Sequence, residues 1–475
     1  MKLRKIIRGT VIVLALLLLV LIAALWLKPP ELLRIGANYA AKIVCSNVFL
    51  AGRDPEEVLR TDVQAPGAAL LHLMRVSVDR QQQVVRTGLL GFIGDGVALA
   101  RPDTGCAVVA DGNVAYARQI GALAAAGLPT PDAASTDSPP GPNSGTAATT
   151  AALWPDGDAV TPNPALDRVL ADDTLAGPGV RAIVVVDHGR IVAERYGAGF
   201  SAKTPLLGWS MTKTVLAGVV GALIKDGRLT LDQAAFWPKA AGDARDRIRI
   251  ADLLAMSSGL RFNEGYGAVS DVTRMLYLQP DMPGFAHAQP LEHPPGGYWS
   301  YSSGSANILS RIAQDAAGPV GANYPREKLF KPLGMTSATM ETDEDGTLVG
   351  SSYMYATARD WARYGLFLMQ AGVWHGQAML PAGYVALMAS PVSASGGQYG
   401  HGLVWLWGSD GKGPGMNPDS AFGIPADTFW MMGHDGQSTA IIASRGLVVV
   451  RLGLTPWQDR YQPQPLIKAV LAALP

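Results

Sequence analysis

The chain contains only two cysteines, Cys45 and Cys106, in 475 residues. Two thiols cannot build a disulfide-rich scaffold or a four-cysteine zinc site. Charge is sparse as well: 39 Lys and Arg balance 39 Asp and Glu, and charged residues make up 16% of the chain. No basic field exists to attract a phosphate backbone, so nucleic acid is not an expected partner. The seven histidines form no His-Glu-x-x-His or comparable ligand pair, so no metal is expected. Gly-x-Ser-x-Gly is missing, which argues against an α/β-hydrolase elbow. No P-loop or Rossmann glycine fingerprint follows a strand, and no cofactor is expected. The 54 glycines follow no Gly-x-y period, which excludes collagen. What the chain does have is apolar content, 48%, enough for a large core and too much for global disorder.

That content is uneven. Lys2, Arg4, Lys5 and Arg8 precede an uncharged run from Gly9 to Leu27, which closes with Lys28-Pro29-Pro30. Nineteen residues at about 1.5 Å each span about 28 Å, close to the hydrocarbon thickness of a bilayer. A cleaved signal peptide has a shorter apolar core and a small-x-small site. Leu25-Trp26-Leu27-Lys28 offers none, and Trp26 suits an interfacial anchor. The reading is an uncleaved single-pass anchor, with a cleaved signal as the alternative and a buried core helix as the third. Positive charge before the span places the body on the periplasmic side of the inner membrane. That compartment is oxidising, so Cys45 and Cys106 could pair; two separate buried thiols are the alternative.

Four segments follow from composition. Residues 1–30 are the anchor, and 31–127 form an amino-terminal segment with strand-like patches at 67–78 and 97–110. Residues 128–155 read as a linker, because Ser135 to Pro142 offers almost nothing apolar to offset the cost of ordering. Residues 160–475 carry a compact α/β pattern. Arg181–Asp187 and Arg190–Tyr196 predict a hairpin around His188-Gly189. Ser210–Asp226, Ile248–Met256 and Ala306–Ala317 predict helices, and 428–432, 438–444 and 447–453 predict strands. Strands early and late around helices in the middle predict one sheet from distant parts of the chain, with a helical cap.

Three stretches are candidates for chemistry. In Ser210-Met211-Thr212-Lys213 the serine and lysine share one helical face, so an amine can approach a hydroxyl that is otherwise a poor nucleophile. Tyr301-Ser302-Ser303 supplies a phenol, which a nearby ammonium draws toward phenolate, a base for Ser210. Gly433-His434-Asp435-Gly436-Gln437 lies between two strands, where a backbone N–H could complete an oxyanion hole with that of Ser210; an ordinary hairpin turn is the alternative.

Ser-x-x-Lys, Tyr-x-Ser about 90 residues on, and His-x-Gly about 130 further resemble the penicillin-recognising serine hydrolases. Ser257-Ser258-Gly259-Leu260, Lys331-Pro332-Leu333-Gly334-Met335 and Thr357-Ala358-Arg359-Asp360 add to the likeness, which spans about 165–475. The stretch Arg261 to Tyr266 is most similar to the 6-aminohexanoate-dimer hydrolase and esterase branch. The resemblance implies a β-lactamase/transpeptidase-like α+β fold, an antiparallel sheet flanked by helices plus a helical lobe. It implies Ser210 as acylated nucleophile, Lys213 as its activator, Tyr301 as acid and base, and the N–H groups of Ser210 and Gln437 as oxyanion hole. Tyr266, Ser303, His434, Asp435 and Gly436 would face substrate. Two departures stand out: Ser303 occupies the place of an asparagine, and His434 that of a lysine that pairs with a substrate carboxylate. A mostly neutral His loses a charge-assisted bond of about 1.5–3 kcal/mol. The expected substrate is therefore a small ester or amide without a fixed terminal carboxylate. A D-Ala-D-Ala-type peptidase or β-lactamase, and a silent envelope binding protein, are the alternatives. Nothing in the sequence fixes an oligomeric state.

Overall fold

A computed structural model describes residues 2–67, 69–126, 152–237, 243–409 and 417–475. It divides into two units that do not follow chain order. The first comprises Met1–Arg101, Gly105–Arg118 and Asn263–Pro280; the second holds Pro102–Thr104, Gln119–Phe262 and Asp281–Pro475. The linker expected at 128–155 lies outside the described residues as far as 151. Its end is folded: Trp154 is fully buried in the second unit, and its carbonyl accepts from Arg190 Nη1 at 2.9 Å.

In the first unit, helix α1 (Lys2–Leu27) carries the uncharged run, and Pro29-Pro30 separates it from α2 (Glu31–Phe49). A meander of four antiparallel strands follows: β1 (Met74–Asp79), β2 (Val84–Leu89), β3 (Ile93–Arg101) and β4 (Gly105–Val108). Of the two strand-like patches, 67–78 forms strand only from Met74, since Ala69–Leu73 is a short 3-10 helix. The other, 97–110, is broken near Asp103, whose positive φ of 62° turns β3 back into β4. Helix α2 lies on this sheet with small residues at the contact. A Cβ on Gly96 would meet the Ala37 carbonyl at 2.3 Å, so only glycine lets the helix approach β3 this closely. Cys45 on α2 and Cys106 on β4 form a disulfide, and Lys42 Nζ donates to the Cys106 carbonyl at 2.7 Å. The segment 263–280 joins this unit through the helix Asp271–Leu278. Asn38 Nδ2 donates to the Tyr277 carbonyl (2.7 Å), and Asn38 Oδ1 accepts from Val97 N–H (3.1 Å).

In the second unit, five antiparallel strands form the main sheet. They are β5 (Val180–Asp187), β6 (Arg190–Tyr196), β7 (Phe429–Gly433), β8 (Gln437–Ile442) and β9 (Leu447–Gly453), in the order β7-β8-β9-β5-β6. Early and late strands meet at β9–β5, where Val449 faces Val185. Both faces are covered. Leu166, Leu170, Leu466, Ile467 and Val470 from helices at either end of this unit pack on Ile183, Val185, Ala440 and Val449. On the opposite face a Cβ on Gly365 would meet Val448 Cγ1 at 2.6 Å, which seats the helix Ala358–Met369 directly on the strands. Double coverage explains runs such as Ile183-Val184-Val185-Val186, where a half-exposed strand would alternate.

Helix α3 (Met211–Lys225) is buried all round from Met211 to Leu223, as expected for a central core helix. Tyr364 and Tyr384 pack against its Gly218 and Gly221 and donate to the carbonyls of Thr214 (3.0 Å) and Ala217 (2.9 Å). The predicted third helix begins earlier than its pattern, as α4 (Ser303–Ala317), because Ser302 Oγ caps it by accepting from Ser305 N–H at 3.0 Å. These helices and the short ones at Ile250–Leu254 and Met282–His287 make the helical lobe. The architecture is α+β: an antiparallel sheet flanked by helices, plus a helical lobe.

Candidate active site

Ser210 sits where the chain turns into α3. Trp209 adopts a positive φ of 47°, unusual for a bulky residue, and Met211, Thr212 and Lys213 N–H groups bond back three residues in a tight first turn. The turn leaves Ser210 half-buried at the helix amino terminus, where backbone N–H groups and the helix dipole favour negative charge.

One turn on, Lys213 is 1% exposed. Its Nζ donates to Ser210 Oγ (3.1 Å), Ser303 Oγ (3.0 Å) and the Ser351 carbonyl (2.9 Å). The Tyr301 ring lies beside it, with Nζ 4.8 Å from the ring centroid. Ser210, Lys213, Tyr301 and Ser303 therefore meet around one amine. Ser303 is fully buried, and its hydroxyl accepts from the Lys213 amine. Asn307, one turn along α4, accepts from Ser351 N–H at 3.1 Å and so fixes the third acceptor.

The 433–437 turn is brought to the same place by contact of two backbones. A Cβ on Gly433 would lie 2.2 Å from the Gly208 carbonyl, so the end of β7 is pressed onto the strand leading into Ser210. The His434 ring meets Trp209 edge-on at 5.7 Å, and its Nε2 lies 3.3 Å from Asp435 Oδ1. Asp435 and Gly436 take positive φ values of 57° and 78°, which aim the chain into β8. Gln437 is locked by its side chain: Nε2 donates to the Gly453 carbonyl (2.6 Å) and Oε1 accepts from Gly453 N–H (2.8 Å). Tyr266 belongs to the first unit, on the stretch before Asp271–Leu278, and is 37% exposed.

Several supporting residues carry no motif. Arg451 is buried mid-strand and binds the carbonyls of Gly436 (3.0 Å), Ala176 (3.2 Å) and Pro178 (3.0 Å). Burial pushes its guanidinium down from the usual value, and Tyr461, 4.3 Å away, opposes this. A lone charge inside the apolar run Leu447–Gly453 was the signal available. Tyr399 and Trp405 pack on the Tyr301 ring at 5.9 and 5.3 Å, and Trp299 packs on both of them. No spacing announces that group. Among the described residues no cluster of His, Cys, Asp and Glu is arranged to hold a metal.

A buried lysine on the hydroxyl of a serine at a helix amino terminus is an arrangement of the β-lactamase-like kind. A model of the Beta-lactamase family matches residues 170–455, and the chain belongs to that family. It is similar to the 6-aminohexanoate-dimer hydrolase of Paenarthrobacter ureafaciens, 27% identical over 217 residues, 43% of this chain. The match spans about half, 55%, of that relative's own length. Among solved structures it resembles a Bacillus anthracis protein assigned as a 6-aminohexanoate-dimer hydrolase: TM-score 0.51, 20% identity, 64% of this chain and 79% of that one. It also resembles a penicillin-binding protein homolog from Caulobacter crescentus: TM-score 0.51, 18% identity, 66% and 99% covered. Both likenesses concern the fold.

Proposed function

We propose that the chain is a membrane-anchored serine hydrolase, acylated on Ser210, that cleaves small esters or amides in the periplasm. The observation that carries this is Lys213 Nζ within 3.1 Å of Ser210 Oγ, with the Tyr301 ring beside the amine. The name of the Paenarthrobacter relative, a 6-aminohexanoate-dimer hydrolase, supports the reaction class.

In the first step Ser210 Oγ bonds to the substrate carbonyl carbon, and its proton passes to the Lys213–Tyr301 pair. The oxyanion is met by the Ser210 and Gln437 N–H groups. Collapse breaks the bond to the leaving alkoxide or amine, which takes the proton from the pair, and leaves an acyl-Ser210. Water then attacks the ester carbon and gives a proton to the same pair; as the acyl C–O bond breaks the pair returns that proton to Ser210 Oγ, releasing the carboxylic acid and free Ser210. His434 and Ser303 supply neither the cation nor the amide that would hold a carboxylate-bearing peptide or penicillin, which is why the substrate is placed among simple esters and amides. Helix α1 supports the anchor: its Ile6–Leu27 stretch is apolar and wholly unburied.

Replacing Ser210 with Ala should abolish p-nitrophenyl butyrate hydrolysis and fluorophosphonate labelling while the thermal transition stays in place. Undiminished turnover in that variant overturns the nucleophile.

A further inference from the structure

Four large apolar side chains of the first unit are exposed together at one end of its sheet. Leu90 and Phe92, on the turn between β2 and β3, are 49% and 45% exposed, and Leu73 and Leu32 are 46% and 48%. They are neighbours in space. Leu90 N–H donates to the Leu73 carbonyl at 2.9 Å. A Cβ on Gly94 would meet the Leu33 carbonyl at 3.2 Å, and one on Gly36 would meet Leu71 Cδ2 at 3.2 Å. The turn and the short helix before β1 therefore both lie at the first turns of α2. That is the end of α2 joined to α1 by three residues, Lys28, Pro29 and Pro30, and α1 itself touches β3.

The turn Leu89-Leu90-Gly91-Phe92 holds no charge or hydrogen-bonding side chain, and Leu90 is held there at a positive φ of 55°. A leucine in that conformation with its side chain in water is unfavourable twice over. The opposite turn of the same meander, Arg80-Gln81-Gln82-Gln83, is wholly polar. The asymmetry follows the distance from α1. Arg75, whose Cβ lies 3.6 Å from where a Gly91 Cβ would be, puts a cation beside the apolar tip, as at a lipid headgroup boundary.

We propose that the β2–β3 turn, with Leu32 and Leu73, is a second membrane contact, dipping into the periplasmic leaflet beside the point where α1 leaves it. The proposal rests on α1 being an uncleaved anchor, and its occupant is the lipid interface. Two contacts instead of one fix the orientation of the first unit on the bilayer.

The test uses the full-length chain in vesicles of phosphatidylethanolamine and phosphatidylglycerol. Phe92→Cys is labelled with an environment-sensitive fluorophore, and Gln82→Cys on the polar turn serves as the control; the disulfide leaves the native cysteines unreactive. Leu90→Cys replaces Phe92→Cys if the latter does not fold. A lipid-borne shallow nitroxide should quench most of the emission at position 92 and little at position 82, and carbonate washing should leave the chain in the pellet. A chain that pellets while the probe at 92 stays water-exposed, or is shielded without lipid quenching, overturns the second contact and spares the anchor. A chain that carbonate strips, yet is quenched at 92 before washing, overturns the anchor and keeps the surface contact. Stripping without quenching overturns both.

Discussion

Gly433 meets Gly208 backbone to backbone: a Cβ on the former would lie 2.2 Å from the carbonyl oxygen of the latter. This contact ties the turn that carries the proposed oxyanion donor to the strand that delivers the nucleophile. Gly433 has φ −134°, an extended value open to any residue, so the demand for glycine comes from space: chiefly the Gly208 carbonyl, with Gln437 Cβ next at 3.0 Å. Replacing Gly433 with Ala should push the two turns apart by about 1 Å. The expected result is at least about a tenfold loss of kcat, given how steeply rate depends on such alignment. A normal rate for p-nitrophenyl butyrate in a folded Gly433→Ala chain would show that the two turns work independently.

Ser303 offers a sharper discrimination. Its buried hydroxyl accepts from Lys213 Nζ at 3.0 Å, one of three acceptors that fix the amine. Ser303→Ala removes a bond to a charged group, worth about 1.5–3 kcal/mol, and leaves the Ser210 and Ser351 acceptors. If the lysine is thereby misplaced in the transition state, kcat falls about 10- to 100-fold with KM nearly unchanged. The pH–rate profile should move too, since the titrating pair has lost a partner. A raised KM at constant kcat would instead place Ser303 on the substrate.

Arg451 links sheet stability to the same turn. It satisfies the carbonyls of Ala176, Pro178 and Gly436 from inside the core, with Tyr461 over its guanidinium. Arg451→Met fits the volume but orphans the Ala176 and Gly436 carbonyls and leaves that of Pro178 to Thr455 Oγ1, at a cost of about 2 kcal/mol or more. Thermal unfolding of this large unit should drop by about 3–5 °C, and Arg451→Lys should recover part of it. Scanning calorimetry of both variants would show whether the three carbonyls depend on this side chain; equal transitions for wild type and Arg451→Met would mean they do not.

Much of the second unit was legible because its signals were local. The hairpin around His188-Gly189 reads from β-branched runs and a turn pair, and its strands run Val180–Asp187 and Arg190–Tyr196. The Ser210–Lys213 pairing reads from helical spacing alone. What stayed hidden depends on distance along the chain. The Ser351 carbonyl carries no side-chain signature, yet it binds a lysine 138 positions away. Helix α2 reads poorly because its buried face holds Asn38, Lys42, Ser46 and Asn47, polar groups that bond partly along the helix and partly to distant backbone such as the Tyr277 and Cys106 carbonyls. The membership of 263–280 in the first unit is of the same kind, since Asn38 and Tyr277 are 239 residues apart.

Asp343 gives a prediction in pH. It is fully buried, and desolvation pushes its carboxyl up from 3.8 to about 7, against the opposing pull of the Thr347 and Met282 N–H groups. Arg311 also lowers it and Asp281 raises it. The folded state thus keeps a proton that the unfolded chain releases above its ordinary carboxyl value. Between about pH 4 and 7 the native state binds more protons, so this group's contribution is full below that window and is lost as pH rises through it. The slope is at most one proton, about 1.4 kcal/mol per pH unit. Asp343→Asn keeps an oxygen for one of the two backbone donors, which bond to different carboxylate oxygens, and has no proton to lose. In detergent-solubilised protein, the thermal transition of wild type should fall relative to Asp343→Asn as pH is raised from 5 to 7.5. Parallel curves for the two chains would mean that the carboxyl is already ionised in the fold.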